Sequence, residues 1–541
     1  MKNPYVQCNI LASKYIARED TLYWEVGMSQ NQTTTNLKIT KHLLVNQYVL
    51  SNTVQIALFI LTQLLSLLYF ILVIQFLTFE EIAILGKAST VLSISLSIIP
   101  FGMFYTVSQM IPSKLSKNDV TGAIRISSLL IKEGLLFSAT VSSVIVLSLL
   151  FFLSVPLIYL FLTLASFYLL SIFLFINQLN NAWLNLTKYV TFSYARVILT
   201  YLFSISLYFL SRRLESIFIG WIVGLFIGLP FLYRATFTEI KKKNNAVNEG
   251  PSEDVEGLNV IAMIMYGLPM YINSIVNMLN LWVDRLLTAV LFTAESFAIY
   301  FVMSRVASVF ESFISSIRNG LIPILSFLTK EKGKERIRRT YRIVFDYIFL
   351  ITFGVLIATA LYSDVIIRIL IGEKYLGGCT ILSVLLITIL FRVLKHTLIS
   401  FPAAAKDISA IPKISTVVFI VRLFLIYYLY PLGGLYVAIA MLLSEIINVV
   451  LIYIVYRAYL SLSYMVIFKA SISMIPVLFF SFLRFNNAFL DLSILASSIV
   501  TYFVLSAMVR VIPRDEIKVL KLVKIPLMRQ IIYLYAKIGR Y

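Results

Sequence analysis

Long apolar runs are the feature that most limits what this chain can fold into. The hydrocarbon core of a bilayer is about 30 Å thick and takes about 20 apolar residues per helix, and a backbone in lipid must form its hydrogen bonds within its own segment. Such runs recur along all 541 residues, so we predict an all-α polytopic membrane protein with about 14 transmembrane helices. The predicted spans 1 to 14 are Ser51–Leu77, Glu81–Ile111, Gly122–Leu153, Pro156–Gln178, Val190–Leu210, Ser216–Phe237, Val260–Leu291, Ser296–Leu325, Tyr341–Tyr362, Leu376–Leu398, Ile414–Tyr430, Gly433–Tyr456, Tyr464–Leu483 and Phe489–Val511.

The composition agrees with a lipid environment. Hydrophobic residues make up 60% of the chain and charged residues 13%, against roughly a quarter charged in soluble domains. Several soluble domains of this total length would need far more charge to cover their surfaces. The composition therefore excludes a soluble enzyme, a disordered scaffold and a DNA-binding factor.

The net charge of +20 acts as an orientation signal. Most of the 46 Lys and Arg residues lie in the N-terminal segment, after the even-numbered spans and in the C-terminal tail. The positive-inside rule then predicts a multi-pass protein of the cell membrane with both termini in the cytoplasm. Contact with anionic headgroups accounts for the charge, so we expect no nucleic-acid partner.

The cysteine and histidine content bears on cofactors. Cys8 and Cys379 are the only cysteines, and His42 and His396 are the only histidines. Their separation allows neither a disulfide framework nor a metal cluster, and the chain lacks a Gly-rich phosphate loop followed by Lys and Ser or Thr. We predict no metal site, no cofactor and no catalytic residues.

An internal repeat divides the chain. Residues 76–85 and 291–300 share Thr, Glu, Ala and Ile at a constant offset of 215 residues, after spans 1 and 7 respectively. Six spans per repeat is an even number, so the two halves have the same orientation in the membrane. The predicted architecture is two pseudo-symmetric six-helix lobes plus two C-terminal helices. The predicted segments are a cytoplasmic tail (1–47), the first lobe (48–240), a linker (241–258), the second lobe (259–460), helices 13 and 14 (461–512) and a basic amphipathic tail (513–541).

Polar side chains form stripes on four spans. On spans 7 and 8 they recur at intervals of three and four residues, which places each set on one helix face. Burying amides in lipid costs several kcal/mol, so these faces point toward protein or water. Hydrogen-bonded packing between helices is the alternative explanation, and we favour it for the serines. The residues are Asn273, Asn277, Asn280 and Asp284 on span 7, Ser304, Ser308, Glu311, Ser315 and Arg318 on span 8, Gln63 on span 1 and Lys87 on span 2.

Ionisable residues on spans 7 and 8 favour a functional site over simple packing, because they require a wet or mutually paired environment. Glu311 and Arg318 lie two turns apart and could partly pair, whereas Asp284 and Arg285 are expected near the outer mouth. Arg305 has no obvious partner on its own helix. A guanidinium facing a cavity can bind phosphate oxygens through two donors. Among the remaining charges, Arg422 and Glu445 are expected to pair, and Arg392 and His396 share a face of span 10.

Several short segments, in order and spacing, resemble the polysaccharide and lipid-linked oligosaccharide flippases of the multidrug/oligosaccharidyl-lipid/polysaccharide (MOP) transporter superfamily. The resemblance spans about Gln47 to Lys469 and implies two lobes in a V, with spans 1, 2, 7 and 8 lining a central cationic cavity. Spans 13 and 14 resemble those of the bacterial lipid II flippases, whereas Gln75 replaces an Arg often found in the family. The matching segments are Phe76–Leu85, Gly267–Arg285, Ile299–Tyr300, Gly372–Leu376, Ala403–Pro412 and Pro431–Gly434.

The expected function is therefore to flip a lipid-linked oligosaccharide on a polyprenyl phosphate or pyrophosphate carrier to the outer leaflet by alternating access, for polysaccharide or glycoprotein biosynthesis. The expected partners are this substrate and membrane lipids, and the protein is expected to act as a monomer. Asp284 and Glu311 are candidate sites for a coupling cation or proton. The alternatives are a drug/cation antiporter of the same superfamily and a polytopic sugar polymerase or glycosyltransferase, which the short outer loops disfavour. The candidate substrate-binding residues are Arg305, Arg318, Asn273, Asn277, Asn280, Gln63 and Lys87.

Overall fold

The described part of the chain is almost entirely helical. A computed structural model describes residues 58–116, 119–245, 259–319, 334–404, 410–457 and 464–511, apart from positions 60, 484, 486 and 510. Within these ranges the elements are helices joined by short turns, with no strand. The helices are α1 Leu61–Phe76, α2 Phe79–Ile98, α3 Met103–Ser116, α4 Val120–Phe152, α5 Leu157–Ala182, α6 Leu186–Ser211, α7 Glu215–Asn245, α8 Val260–Leu291, α9 Ala294–Asn319, α10 Lys334–Leu361, α11 Ser363–Leu370, α12 Cys379–Ala404, α13 Ile411–Leu429, α14 Gly434–Tyr456, α15 Tyr464–Phe480 and α16 Ala488–Met508.

The described helices include 10 that are long and apolar enough to cross a membrane, or up to 11 if the bent pair α10 and α11 is one span. Large apolar side chains lie on their outer surfaces, for example Phe151 at 81% exposure and Leu210 at 82%. Such exposure suits contact with lipid. The predicted all-α polytopic membrane fold is confirmed, while the count of 14 stays a prediction.

Two predicted spans differ from single straight helices. Span 2 is split into α2 and α3, because the chain turns at Pro100 and Gly102, where Gly102 has φ +84°. A proline lacks the backbone donor that would continue the helix, and a glycine accepts positive φ without strain. Span 9 continues into the short helix α11, with a bend of 72° between the two.

The helices pack as two bundles. The first contains α1 to α7 and the second contains α8 to α14, while α15 and α16 pack against each other and against α10; α16 also contacts α11. The bundles meet where α2 and α3 contact α8 and where α2 contacts α9. Spans 2, 7 and 8, which the family resemblance places around a central cavity, therefore correspond to the helices at the boundary between the bundles.

The two repeat segments form the same local turn. Thr78 begins α2 with a capping box, in which its hydroxyl accepts from the Glu81 N–H (3.3 Å) and its own N–H donates to the Glu81 carboxylate (2.8 Å). Thr293 precedes α9 and accepts from the Ser296 N–H at 3.4 Å. A side chain that satisfies the free N–H groups fixes where a helix begins. The turn between α1 and α2 and the turn between α8 and α9 are thus built alike.

Candidate functional site

Eight ionisable side chains lie inside the second bundle or at its boundary with the first, and we call them the charge cluster. Several of them line a cavity of about 20 Å³ between α8, α9, α12 and α14, which is room for about one water molecule. The members are Asp284, Arg285, Arg305, Glu311, Arg392, Lys395, Arg422 and Glu445.

Glu445 on α14 is the most enclosed carboxylate of the cluster, with a side chain 1% exposed. It accepts from Arg422 at 2.8 Å, from Lys395 at 3.1 Å and from Arg392 at 3.4 Å. Arg422 is itself fully buried and also bonds the Ser444 hydroxyl and the Asn280 carbonyl. The expected pairing of Arg422 with Glu445 is confirmed, and the pair belongs to a larger network.

Glu311 on α9 pairs with Arg392 on α12 at 2.6 Å. Both side chains lie on the cavity wall, Glu311 at 20% exposure and Arg392 at 11%. The expected partner of Glu311 was Arg318, whose side chain lies outside the described residues. Packing of α9 against α12 brings Glu311 to a cation that the sequence of α9 does not contain.

Asp284 on α8 is 4% exposed and accepts a hydrogen bond of 2.8 Å from the Tyr300 hydroxyl on α9. Its other carboxylate oxygen has no partner among the described residues. The sequence led us to expect Asp284 near the outer mouth. It lies inside the bundle instead, because α8 turns this face toward α9. The next residue, Arg285, stacks on Trp282 with the guanidinium carbon 4.5 Å from the ring centroid and donates to the Ser304 carbonyl at 3.3 Å.

Arg305 links the two bundles. Its guanidinium donates to the Ser66 hydroxyl on α1 at 3.3 Å, and Ser66 is 3.1 Å from the Tyr201 hydroxyl on α6. Within the described part of the chain, neither Arg305 nor Arg285 has a carboxylate within salt-bridge distance. Arg285 and Arg305 are thus the two cations of the cluster that have no anionic partner among the described residues.

The charge cluster contains five cations and three carboxylates. Isolated charges are costly to bury unless they are paired or reach water. An excess of positive charge in this position favours an anionic ligand over a cationic one. Arginine is well suited to phosphate because its planar donors match pairs of phosphate oxygens.

The other predicted substrate-binding residues lie in different environments and do not form one site with the charge cluster. Asn280 is buried and donates to the Val276 and Ser415 carbonyls, Asn273 is half-buried and Asn277 is exposed. Gln63 is half-buried on α1, close in sequence to Ser66. Lys87 lies apart from the cluster and donates to the Leu153 carbonyl of its own bundle at 2.9 Å.

Sequence reasoning missed Arg392, Lys395 and Tyr300 as members of the site. Arg392 and Lys395 are three residues apart on an apolar helix, a spacing that puts two cations on one face. That signal was available in the sequence. The link from Tyr300 to Asp284 was not, because it depends on how α8 and α9 pack.

The bundles contact each other at both ends of α2. Near its start, Lys374 of the second bundle donates to the Leu77 carbonyl of the first at 2.9 Å, and the Lys374 ammonium lies 5.8 Å from the Phe79 ring centroid. Beyond its end, the Thr106 hydroxyl on α3 donates to the Met263 carbonyl on α8 at 2.6 Å. Both ends of the boundary are closed in this structure.

Comparisons with known proteins agree with this architecture. The family model for "Polysaccharide biosynthesis protein" matches residues 135–380. The structure "Lipid II flippase MurJ, inward closed conformation" is similar with a TM-score of 0.66 at 14% identity, covering 85% of this chain and 99% of that one. The inward-facing structure of a multidrug resistance MATE family transporter of the MOP superfamily gives 0.55 at 14% identity, covering 75% of this chain and 98% of that one.

The eukaryotic MATE transporter AtDTX14 is also similar, with a TM-score of 0.51 at 12% identity over 75% of this chain and 93% of that one. No curated protein sequence matches at a significant level. The fold is that of MurJ and the MATE transporters, so the predicted resemblance is confirmed at the level of the fold.

Proposed function

We propose that this chain, which has the fold of the MOP-superfamily transporters, moves a phosphate-bearing lipid-linked oligosaccharide from the cytoplasmic to the outer leaflet of the cell membrane. The phosphate or pyrophosphate of the polyprenyl carrier binds the cations of the charge cluster, and the polyprenyl tail stays in lipid. Relative movement of the two bundles then exchanges access between leaflets. Both termini lie in the cytoplasm, and the protein acts as a monomer that changes no covalent bond.

One observation carries the proposal. Arg285 and Arg305 lie at the boundary helices without a carboxylate partner among the described residues, although both side chains are partly withdrawn from solvent. A charge-assisted hydrogen bond to phosphate contributes about 1.5–3 kcal/mol. The match to a polysaccharide biosynthesis family adds a reason to expect a sugar on the carrier.

The drug/cation antiporter is the second candidate, since the MATE transporters share this fold. Such an antiporter needs a carboxylate that is free to bind an organic cation or its counter-transported ion. Glu311 and Glu445 are already paired with the chain's own cations, and among the cluster carboxylates Asp284 alone has no cation within salt-bridge distance in the described region. Because Glu311 and Glu445 are already paired, the site favours an anionic substrate over an organic cation.

The test is flipping of a fluorescent polyprenyl pyrophosphate disaccharide in proteoliposomes, followed by quenching of the outer-leaflet label with an impermeant reductant. We expect Arg305→Ala to slow flipping by roughly tenfold or more, because a loss of about 1.4 kcal/mol is a factor of ten. Arg234→Ala is the matched control, since Arg234 is an exposed arginine in the C-terminal half of α7.

Normal flipping by a folded Arg305→Ala protein would remove the phosphate-binding role of this residue. Recovery of a longer sugar chain, instead of the unchanged lipid, would point to the polymerase alternative. Export of a cationic dye without movement of the lipid-linked sugar would point to the antiporter.

A further inference from the structure

Arg392 is shared between two carboxylates of very different burial. Its Nε atom is 3.4 Å from Glu445, which is 1% exposed, and one terminal nitrogen is 2.6 Å from Glu311, which is 20% exposed. The shorter contact is thus made to the more accessible carboxylate. Glu311 and Arg392 both line the cavity that Arg285 also lines.

Glu445 does not depend on Arg392 for its neutralisation. Arg422 lies 2.8 Å and Lys395 3.1 Å from the two Glu445 oxygens, both closer than Arg392. Glu311 has a single cationic partner among the described residues, which is Arg392. The Glu445 contacts therefore form the fixed half of the network, and the Glu311 contact is the half that can be exchanged.

We propose that Glu311 is an internal counter-ion that occupies the phosphate-binding side of Arg392 until the substrate arrives. This inference rests on the proposed function. When the phosphate binds Arg392 and Arg285, the Glu311 carboxylate leaves Arg392 and takes one proton from the buffered solvent. The O–H bond that forms on Glu311 replaces the O–H bond that breaks in hydronium, and no other covalent bond changes.

Space and charge both support an exchange over simultaneous binding. The cavity of about 20 Å³ admits one water molecule and no phosphate while the Glu311 side chain fills its place on Arg392. A carboxylate left beside a bound phosphate would face a like charge in a poorly solvated site, which favours its protonated form. Substrate binding and proton uptake are then linked through one side chain.

Other titratable and charged groups surround Glu311, and any of them that gains or loses a proton would contribute to the measured proton uptake. Asp284 and Arg285 approach from α8, and Lys395 belongs to the same network through Glu445 on α14. His396 lies on α12, one turn from Arg392, and its imidazole is a second group able to accept a proton. The experiment therefore has to separate Glu311 from His396.

The experiment is calorimetric titration of the purified full chain in detergent with farnesyl pyrophosphate, and in parallel with inorganic pyrophosphate. Repeating it in two buffers of different ionisation enthalpy gives the number of protons taken up per ligand. For the wild type we expect about one proton with each ligand, with tighter binding of the lipid form.

Three variants complete the experiment. Glu311→Gln should take up no proton and bind roughly tenfold more tightly, because the competing carboxylate is gone. Arg392→Gln should bind roughly tenfold more weakly, and His396→Gln should keep the proton uptake of the wild type. Elution profile and far-UV circular dichroism check that each variant is folded.

The outcomes distinguish this inference from the proposed function. If the wild type binds the lipid pyrophosphate and Glu311→Gln still takes up a proton or binds less tightly, the counter-ion role is wrong and the flippase proposal stands. Loss of proton uptake in His396→Gln would also overturn the inference, in favour of the histidine. If the wild type neither binds the probe nor flips the lipid-linked sugar, both proposals fail.

Discussion

At the scale of single residues, the charge cluster combines a fixed part with an exchangeable part. A buried ion pair gains little net stability over apolar packing, but removing one partner leaves an uncompensated buried charge. Within the described part of the chain, Glu445 has three cationic partners and almost no exposure, whereas Glu311 has one and is partly exposed. We expect the two carboxylates to respond differently to the same substitution.

Glu445→Gln should destabilise the fold strongly, since Arg422 and Lys395 would remain buried without an anion. Breaking a buried pair of this kind costs about 3–5 kcal/mol. The measurement is the midpoint of thermal unfolding in detergent, read from the fraction that elutes as a folded monomer. Glu311→Gln is the matched control and should lower the midpoint far less.

The double variant Glu445→Gln with Lys395→Met provides the second comparison for this prediction. Removing one of the stranded cations should restore part of the lost stability, because the two residues belong to one network. An unchanged midpoint in Glu445→Gln would mean that the three cations do not depend on this carboxylate.

These residues also mark what the sequence could predict about the site. The charged positions on spans 7 and 8, and the pairing of Arg422 with Glu445, follow from polar residues in apolar runs. The partner of Glu311 does not follow, because it sits 81 residues away on α12 and is brought near only by tertiary packing. The same holds for Arg305, which reaches Ser66 on a helix of the other bundle.

At the scale of elements, the break between α2 and α3 determines how closely the two bundles approach. Gly102 at this break touches Gly267 on α8 backbone to backbone, so that a methyl group on Gly267 would lie 2.1 Å from the Gly102 carbonyl oxygen. Only two glycines allow this contact without a shift of one helix. The apolar run of span 2 and Pro100 within it predicted one span with a bend, and hydropathy alone does not register the turn at positive φ that separates α2 from α3.

Gly267→Ala should therefore open the contact between α3 and α8. The reporter is Ser274→Cys, since the Ser274 hydroxyl bonds the Tyr105 hydroxyl on α3 in the closed arrangement. In a background with Cys8 and Cys379 replaced by serine, we expect an impermeant maleimide to label this cysteine several-fold faster in the Gly267→Ala protein.

The matched control for that prediction is Gly377→Ala. A methyl group on Gly377 would meet nothing within 4 Å, so this substitution should leave the labelling rate unchanged. Equal rates for Gly267→Ala and its parent would mean that α3 and α8 yield to the methyl group without separating.

At the scale of the whole molecule, the two halves share a fold and differ in chemistry. The offset of 215 residues that aligns the Thr78 and Thr293 turns also aligns Asp284, Arg285, Arg305 and Glu311 with Tyr69, Phe70, Thr90 and Leu96. The four charges at these positions thus have no charged counterpart in the first bundle. We expect the substrate's charged head to stay with the second bundle while the first bundle moves against it.

The boundary between the bundles is closed near both ends of α2, a helix of 20 residues and so about 30 Å long. At the Gly102 end the closure combines backbone contact with the hydrogen bonds of Tyr105 and Thr106, and at the Leu77 end it combines the Lys374 bond with an edge contact between the Phe79 and Tyr375 rings. A single ammonium that bonds one carbonyl and lies near the Phe79 and Tyr375 rings is the weaker of the two closures. Movement that opens the predicted outer side should therefore begin by releasing Lys374.

Lys374→Met should shift the molecule toward the arrangement open at the Leu77 end, because methionine keeps the length of the side chain and removes the donor and the charge. Spin labels on cysteines at the exposed positions 80 and 373, one in each bundle, report the separation by pulsed electron resonance. We expect a larger fraction of long distances than in the parent. Lys87→Met is the matched control, since Lys87 makes the same 2.9 Å bond to a carbonyl, that of Leu153, within one bundle. A distance distribution that changes equally in both variants, or in neither, would mean that Lys374 does not hold the bundles together.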